Sequence, residues 1–134
     1  MILVDTSVLS LAFRRRVKPS PESPLVRILH RLVEQDHPVV VPGIVLQELL
    51  SGVRTETEFE RLQDLMEGFP LMLAEREHHL EAARIANTCR HAGISVSTVD
   101  CLIAAMAIKA KSQLLTSDED FEPMASCSAL QLLK

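Results

Sequence analysis

The sequence contains no tryptophan or tyrosine and only four phenylalanines among its 134 residues. So few aromatic rings exclude a groove that recognises nucleic-acid bases by stacking, and they predict an aliphatic core. Cysteine is also scarce, because only Cys89, Cys101 and Cys127 occur and they lie far apart. This number and spacing fit neither a disulfide framework nor a zinc motif. We therefore predict that all three are reduced thiols in apolar surroundings.

Long apolar runs are absent too, since none reaches the roughly 18 residues that would cross a bilayer. The amino terminus also lacks the basic and apolar regions of a signal peptide. Both absences predict a cytoplasmic protein without membrane contact, and the length predicts one domain that spans residues 1–134. An excess of basic charge is missing as well, since 14 basic and 18 acidic residues give a net charge of −4. That balance argues against a protein that coats DNA.

The first seven residues, Met1 to Ser7, are the stretch around which the chain is organised. An apolar run ends there at Asp5, and two hydroxyl residues follow it. A short apolar run of this kind is typical of a strand covered on both faces in a parallel sheet, and ligand sites gather at the carboxyl ends of such strands. Asp5 or Thr6 could instead serve only as the cap of the next helix.

Apolar periodicity and turn residues predict alternating strands and helices over the rest of the chain. Strands are predicted at residues 1–5, 39–41, 70–74, 113–116 and 129–133. Helices are predicted at residues 8–13, 25–35, 43–52, 75–91 and 99–111. One further helix is predicted to begin at the capping box of residues 55–58. This alternation predicts a three-layer α/β/α sandwich with a mostly parallel central sheet and right-handed crossovers.

Four carboxylates fall at one edge of this predicted sheet. They are Asp5 after the first strand, Glu48 in the helix after the second, Asp100 in the first turn of a buried helix, and Asp118 after the fourth strand. Taken singly, each has a simpler explanation as a cap, a turn residue or a solvated helix residue. Taken together, those explanations would require four acids to meet at one edge by coincidence.

Converging carboxylates predict a bound cation, because two like charges ~4 Å apart repel by ~4 kcal/mol at an effective dielectric constant of ~20. Oxygen ligands without nearby cysteine or histidine favour Mg²⁺ or Mn²⁺ over zinc. Hydroxyls that could orient the carboxylates are those of Thr6, Ser97 and Thr116. A metal held in this way suits attack of water on a phosphoryl group.

Four segments follow one another along the chain: ILVDTS, PGIVLQELLSG, GISVSTVDCLIAAMA and LLTSDEDF. In this order, and over essentially the whole chain, they resemble the PIN-domain ribonucleases of the VapC toxin type. The resemblance implies a Mg²⁺-dependent endoribonuclease that cleaves RNA, including tRNA, that is neutralised by a cognate VapB antitoxin and that is usually dimeric. It places the acidic quartet of the family on Asp5, Glu48, Asp100 and Asp118, with Asp120 as an extra acid near the metal. Thr116 matches the hydroxyl residue that the family has before its fourth acid.

Three alternatives compete with this interpretation. A receiver-like signalling module would have adjacent acids after the first strand and a lysine after a late strand. In this chain Asp5 has no acidic neighbour, because Val4 and Thr6 flank it. A phosphatase with an aspartyl nucleophile would have a second acid where Ser7 stands. A non-catalytic module that binds metal or RNA and acts through a partner also remains open.

Two further features predict binding surfaces. A cluster of basic residues follows the helix launched from Asp5: Arg14, Arg15, Arg16 and Lys18. We predict that this cluster binds the phosphates of RNA. The loop from Arg14 to Pro24 matches no pattern of the family. Apolar stripes on two helices predict a contact with the antitoxin or a second subunit, with ordinary core packing as the alternative. The residues of these stripes are Leu25, Ile28, Leu32, Phe59 and Leu62.

Overall fold

The structure is a computed structural model that describes residues 1–14 and 22–133. Within these ranges five strands form one sheet in the order β3-β2-β1-β4-β5. Every neighbouring pair of strands is parallel, which confirms the predicted fold class. The strands are β1 (Ile2–Val4), β2 (Val39–Pro42), β3 (Leu71–Met72), β4 (Gln113–Leu115) and β5 (Gln131–Leu132).

Seven helices in the described part of the chain connect the strands. They are α1 (Thr6–Phe13), α2 (Pro24–Glu34), α3 (Gly43–Leu50), α4 (Glu56–Met66), α5 (Arg76–His91), α6 (Thr98–Lys109) and α7 (Phe121–Ser126). Because parallel crossovers are right-handed, the strand order places α1 to α4 on one face of the sheet and α5 to α7 on the other. The helix contacts agree, since α1 packs on α2 and α3, and α5 packs on α6.

Apolar sequence and capping side chains explain where these elements lie. Every residue of β1 is buried, as expected of a strand covered on both faces. The hydroxyl oxygen of Thr55 accepts a hydrogen bond from the N–H of Glu58 at the start of α4, and Ser97 caps α6 in the same way. Six of the twelve residues of α6 are buried in the core, which explains why this helix is apolar nearly all round.

The connection order reverses at β1, which lies in the centre of the sheet. The chain first moves outward from β1 to β2 and β3, and then returns to the other side of β1 to form β4 and β5. Leu3 of β1 therefore pairs with Val40 on one side and with Leu114 on the other. Ligands bind open α/β sheets at such a reversal, outside the carboxyl ends of the strands.

The structure departs from the sequence prediction in two respects. Helix α7 was not predicted, and its formation depends on burial of Phe121 and Met124 in the core. The prediction that the two apolar stripes are contact surfaces is wrong for Leu62 and stays a prediction for the other four residues. Leu62 is fully buried, whereas three residues of α2 pack against the core but remain partly exposed: Leu25, Ile28 and Leu32.

The described helices include none that is long and apolar enough to span a membrane.

Candidate metal centre

Asp5 lies directly after β1, where its backbone N–H donates to the carbonyl of Leu115 at 3.0 Å and continues the ladder with β4. Its side chain is only 4% exposed. Two hydroxyls donate to its Oδ2 atom, from Ser7 at 2.9 Å and from Thr116 at 2.8 Å. Asp5 occupies the N-cap position of α1, but its side chain makes no capping hydrogen bond. Its carboxylate is therefore held by the site and does not serve as a helix cap.

The loop after β4 is folded by hydrogen bonds of its own acids and hydroxyls. The N–H of Asp118 donates to Oγ1 of Thr116 at 3.0 Å, and the N–H of Asp120 donates to Oδ1 of Asp118 at 2.9 Å. The N–H of Ser117 donates to Oγ of Ser7 at 3.0 Å. These bonds fasten the loop to the segment after β1.

Asp100 lies in the first turn of α6, and its N–H donates to Oγ of the N-cap Ser97 at 3.1 Å. Burial raises the pKa of Asp100 from its ordinary value of 3.8 to about 6. The hydrogen bond with Ser97 opposes this rise in pKa, and three neighbouring charges add to it: those of Asp118, Asp5 and Glu48. The four acids predicted from the sequence therefore act on one another in the folded protein.

Glu48 is the most exposed of the four acids and approaches the site from α3. Its Oε1 atom accepts a 2.9 Å hydrogen bond from Oγ1 of Thr6, the first residue of α1. The hydroxyl of Thr6, which was predicted to orient a carboxylate, therefore bonds directly to the carboxylate of Glu48. Thr116 likewise bonds a carboxylate, that of Asp5.

Three of the predicted ligands form a close group. Carboxylate oxygens of Asp100, Asp118 and Asp120 all lie within 4.8 Å of one another. Two ligands on opposite sides of a Mg²⁺ ion are about 4.2 Å apart, because each lies ~2.1 Å from the metal. Small side-chain rotations would therefore let the three oxygens share one ion, and the all-oxygen donors fit a hard divalent cation. Asp5 and Glu48 are outside this group of three, although their charges reach Asp100.

Ser7 is a site residue that was not selected from the sequence. Its hydroxyl binds Asp5, receives the N–H of Ser117 and lies 3.2 Å from Oγ1 of Thr116. The only signal in the sequence was its position two residues after Asp5, in the first of the four segments quoted above.

Of the predicted RNA-binding residues, only Arg14 lies within the described residues. Its Nη2 atom donates to two carbonyl oxygens at the end of α3, that of Leu49 at 2.6 Å and that of Ser51 at 2.9 Å. Arg14 therefore supports the helix that carries Glu48. The other three predicted residues, Arg15, Arg16 and Lys18, lie outside the described ranges.

A basic cavity adjoins Arg14 between the ends of α1 and α3 and the start of α4. Its volume is about 460 Å³, and its lining includes Arg14, Arg54 and Arg61. Arg61 donates to the carbonyl of Phe13 and to the carboxylate of Glu58. Arg54 is the exposed arginine of the cavity.

Comparison with known proteins gives concordant matches. The PIN domain family matches residues 2–126. Ribonuclease VapC11 of Mycobacterium tuberculosis is 31% identical over 133 residues, which cover 98% of this chain and 96% of the relative. VapBC2 from Rickettsia felis, solved bound to a DNA fragment from its promoter, superposes with a TM-score of 0.79 at 17% identity, with 99% and 98% of the two chains covered. FitAcB from Neisseria gonorrhoeae has a TM-score of 0.77 at 21% identity, with 100% and 97% covered.

Proposed function

The chain belongs to the PIN domain family, and from this premise we propose that it is a VapC-type endoribonuclease, the toxin of a toxin–antitoxin pair. The observation that carries this proposal is the convergence of four carboxylates on one another at the carboxyl edge of the sheet. Similarity to a named VapC ribonuclease over nearly the whole chain supports the same assignment.

The proposed metal ligands are Asp100, Asp118 and Asp120, with Asp5 and Glu48 completing the negative site. Mg²⁺ is the proposed ion, and Mn²⁺ could replace it because it also accepts oxygen ligands. When bound, the ion would polarise a phosphoryl oxygen and lower the pKa of a water molecule. The chain contributes orientation, because the hydroxyls of Ser7 and Thr116 fix Oδ2 of Asp5 and so hold this negative charge in one position.

The proposed substrate is RNA, including tRNA, cleaved within the strand in the cytoplasm. With few aromatic residues for stacking, recognition would depend on backbone charge and RNA shape. We assign the phosphate contacts to Arg15, Arg16 and Lys18. Arg14 is less suited to this role, because its guanidinium is already engaged by the carbonyls at the end of α3.

The proposed protein partners are a VapB-like antitoxin and a second copy of the chain. Solved VapBC structures support an antitoxin as partner. The candidate contact is an apolar groove of about 400 Å³ between α3, α4 and β3, whose lining includes Leu46, Leu50, Phe59 and Leu71. Phe59 is the member of the predicted stripes that lines this groove. Sedimentation of the chain alone and after mixing with a VapB-like protein would test both partners.

The test of the catalytic assignment is cleavage of cellular RNA by the purified protein and its Asp100→Asn variant. Loss of Mg²⁺-dependent cleavage in the variant is expected, because one ligand and one negative charge are removed. Glu119→Gln is the control, since it removes an exposed charge from the loop that carries Asp118 and Asp120 but lies outside the group of three. Full activity of Asp100→Asn, or unchanged activity of the parent protein in excess EDTA, would overturn the assignment.

A further inference from the structure

Two cysteines that are 38 residues apart in sequence meet on the face of the sheet opposite α1. The Sγ atoms of Cys89 in α5 and Cys127 at the end of α7 are 2.8 Å apart. Both residues are free thiols. The third cysteine, Cys101, is buried nearby on α6, close enough for its charge to affect Cys89. The predicted reduced state of the three thiols is confirmed, but the sequence did not reveal that two of them form a close pair.

The two paired thiols differ in access to solvent. Cys89 is fully buried, whereas Cys127 is half-buried at the C-cap of α7. The position of Cys127 is defined by its helix, since its Sγ atom also lies 3.6 Å from the carbonyl oxygens of Pro123 and Met124. A small oxidant from solvent would therefore reach Cys127 before Cys89.

The sulfurs need little movement to bond. A disulfide has an S–S distance of ~2.0 Å, so the 2.8 Å contact must shorten by only about 0.8 Å. A shift of this size can be taken up by side-chain torsions and by the short helix α7. The bond would then fasten the existing arrangement of α5 and α7 without rebuilding it.

We propose that Cys89 and Cys127 are an oxidation site, which a peroxide converts into an intramolecular disulfide that anchors α7 to α5. Cys127 reacts first and Cys89 resolves the product. Helix α7 directly follows the loop of Asp118 and Asp120, so the bond anchors the element that comes after this loop. The proposal does not depend on the ribonuclease assignment.

The chemistry balances with hydrogen peroxide as the oxidant. The thiolate of Cys127 attacks one peroxide oxygen, the O–O bond breaks, and Cys127 becomes a sulfenic acid as hydroxide leaves and takes up a proton to form water. The sulfur of Cys89 then attacks Sγ of Cys127 and displaces the sulfenic hydroxyl, which leaves as water with the proton of Cys89. Two thiols and one peroxide thus yield one disulfide and two waters.

The surroundings support this order of events. Burial, and then the hydrogen bond with Cys127, raise the pKa of Cys89 to about 12. Cys89 therefore stays protonated at neutral pH and is a poor first nucleophile. Its proton is the one needed to release the hydroxyl of the sulfenic acid as water. Cys101 is almost fully buried, which shields this third thiol from an oxidant in solvent.

The test treats the reduced full-length chain with one equivalent of hydrogen peroxide and then counts thiols after denaturation. We expect the count to fall from three to one, with peptide mapping that joins Cys89 to Cys127 and full reversal by dithiothreitol. The oxidised protein should melt roughly 5 °C higher than the reduced protein, because the cross-link restricts the unfolded chain.

Three variants separate the roles of the thiols. Cys101→Ala should form the cross-link as the parent does, and Cys127→Ser should form none. Cys89→Ala should accumulate a sulfenic acid on Cys127 that dimedone traps, whereas the parent should show little trapping. The proposal is overturned if the parent loses thiols without the Cys89–Cys127 peptide, or if the cross-link forms but leaves the melting temperature unchanged.

Discussion

The hydroxyl of Thr116 donates a 2.8 Å hydrogen bond to Oδ2 of Asp5, across the gap between the carboxyl ends of β4 and β1. The same hydroxyl oxygen accepts the N–H of Asp118 at 3.0 Å. One side chain thus joins an acid that is nearly fully buried to the loop that carries two others. Since loss of a partner from a buried polar group is costly, Thr116 sets the relative positions of these acids.

Replacement of Thr116 by valine should therefore lower the rate of RNA cleavage by about 10–100-fold, the usual effect of removing a residue that orients metal ligands. Valine keeps the shape of threonine but removes both hydrogen bonds. Thr116→Ser, which restores the hydroxyl, should retain activity within a few-fold. Ser117→Ala is the neighbouring control, because its backbone N–H makes the bond to Ser7. Equal activity of the valine and serine variants would show that the hydroxyl has no positioning role.

Much of the site was predictable because local sequence marks its position. Asp5 and Asp118 follow short buried strands, and the hydroxyl of Ser97 marks the start of the helix that presents Asp100. An acid at the end of an apolar run can be placed at a sheet edge from periodicity alone. The parallel connection then brings these edges together.

The features that were missed depend on contacts between distant segments. Ser7 meets Thr116 from 109 residues away, and Cys89 meets Cys127 from 38 residues away. Helix α7 spans only six residues and contains Pro123, so it shows too few turns for an apolar period to be visible. In each case the position follows from the packed core, and the local sequence carries little signal.

The stability of the metal-free protein should depend on pH through the titration of Asp100. Its pKa is about 6 in the folded state and near 3.9 in an unfolded chain, so the folded state binds a proton more tightly. Its contribution to stability is therefore greatest at low pH and is lost as the pH rises to above 6.

We expect Asp100→Asn to raise the free energy of unfolding in EDTA more at pH 7.5 than at pH 5, because asparagine carries no charge at either pH. Urea unfolding of both proteins at the two pH values measures the difference. Glu119→Gln provides the control for removal of an exposed charge. A gain for Asp100→Asn that is the same at both pH values would contradict the raised pKa.

Arg14 should contribute to stability through the end of α3. Its Nη2 atom donates to the carbonyls of Leu49 and Ser51, and hydrogen bonds from charged groups contribute about 1.5–3 kcal/mol. Arg14→Gln should therefore lower the free energy of unfolding by about 1–3 kcal/mol. Arg54→Gln, on the exposed side of the same cavity, should change it by less than about 0.5 kcal/mol. Similar effects of the two substitutions in urea unfolding would argue against this role for Arg14.

The basic residues after Arg14 should act on RNA affinity instead of stability. Each phosphate contact to a single strand contributes about 0.7 to the slope of log affinity against log salt concentration. Simultaneous replacement of Arg15, Arg16 and Lys18 by glutamine should therefore reduce this slope by up to about 2 while Mg²⁺ affinity stays the same. Binding is measured in the Asp100→Asn background, so that cleavage does not interfere.

The matched control for this experiment removes three basic residues from α5, on the other face of the sheet: Arg76, Arg84 and Arg90. Both triple variants lose the same net charge, so a general electrostatic effect would flatten both slopes equally. Contact of the RNA with the segment after α1 would flatten only the slope of the variant that lacks Arg15, Arg16 and Lys18. If that slope equals the slope of the parent, RNA approaches the acidic site from another side, and the basic cavity that Arg54 and Arg61 line becomes the next surface to test.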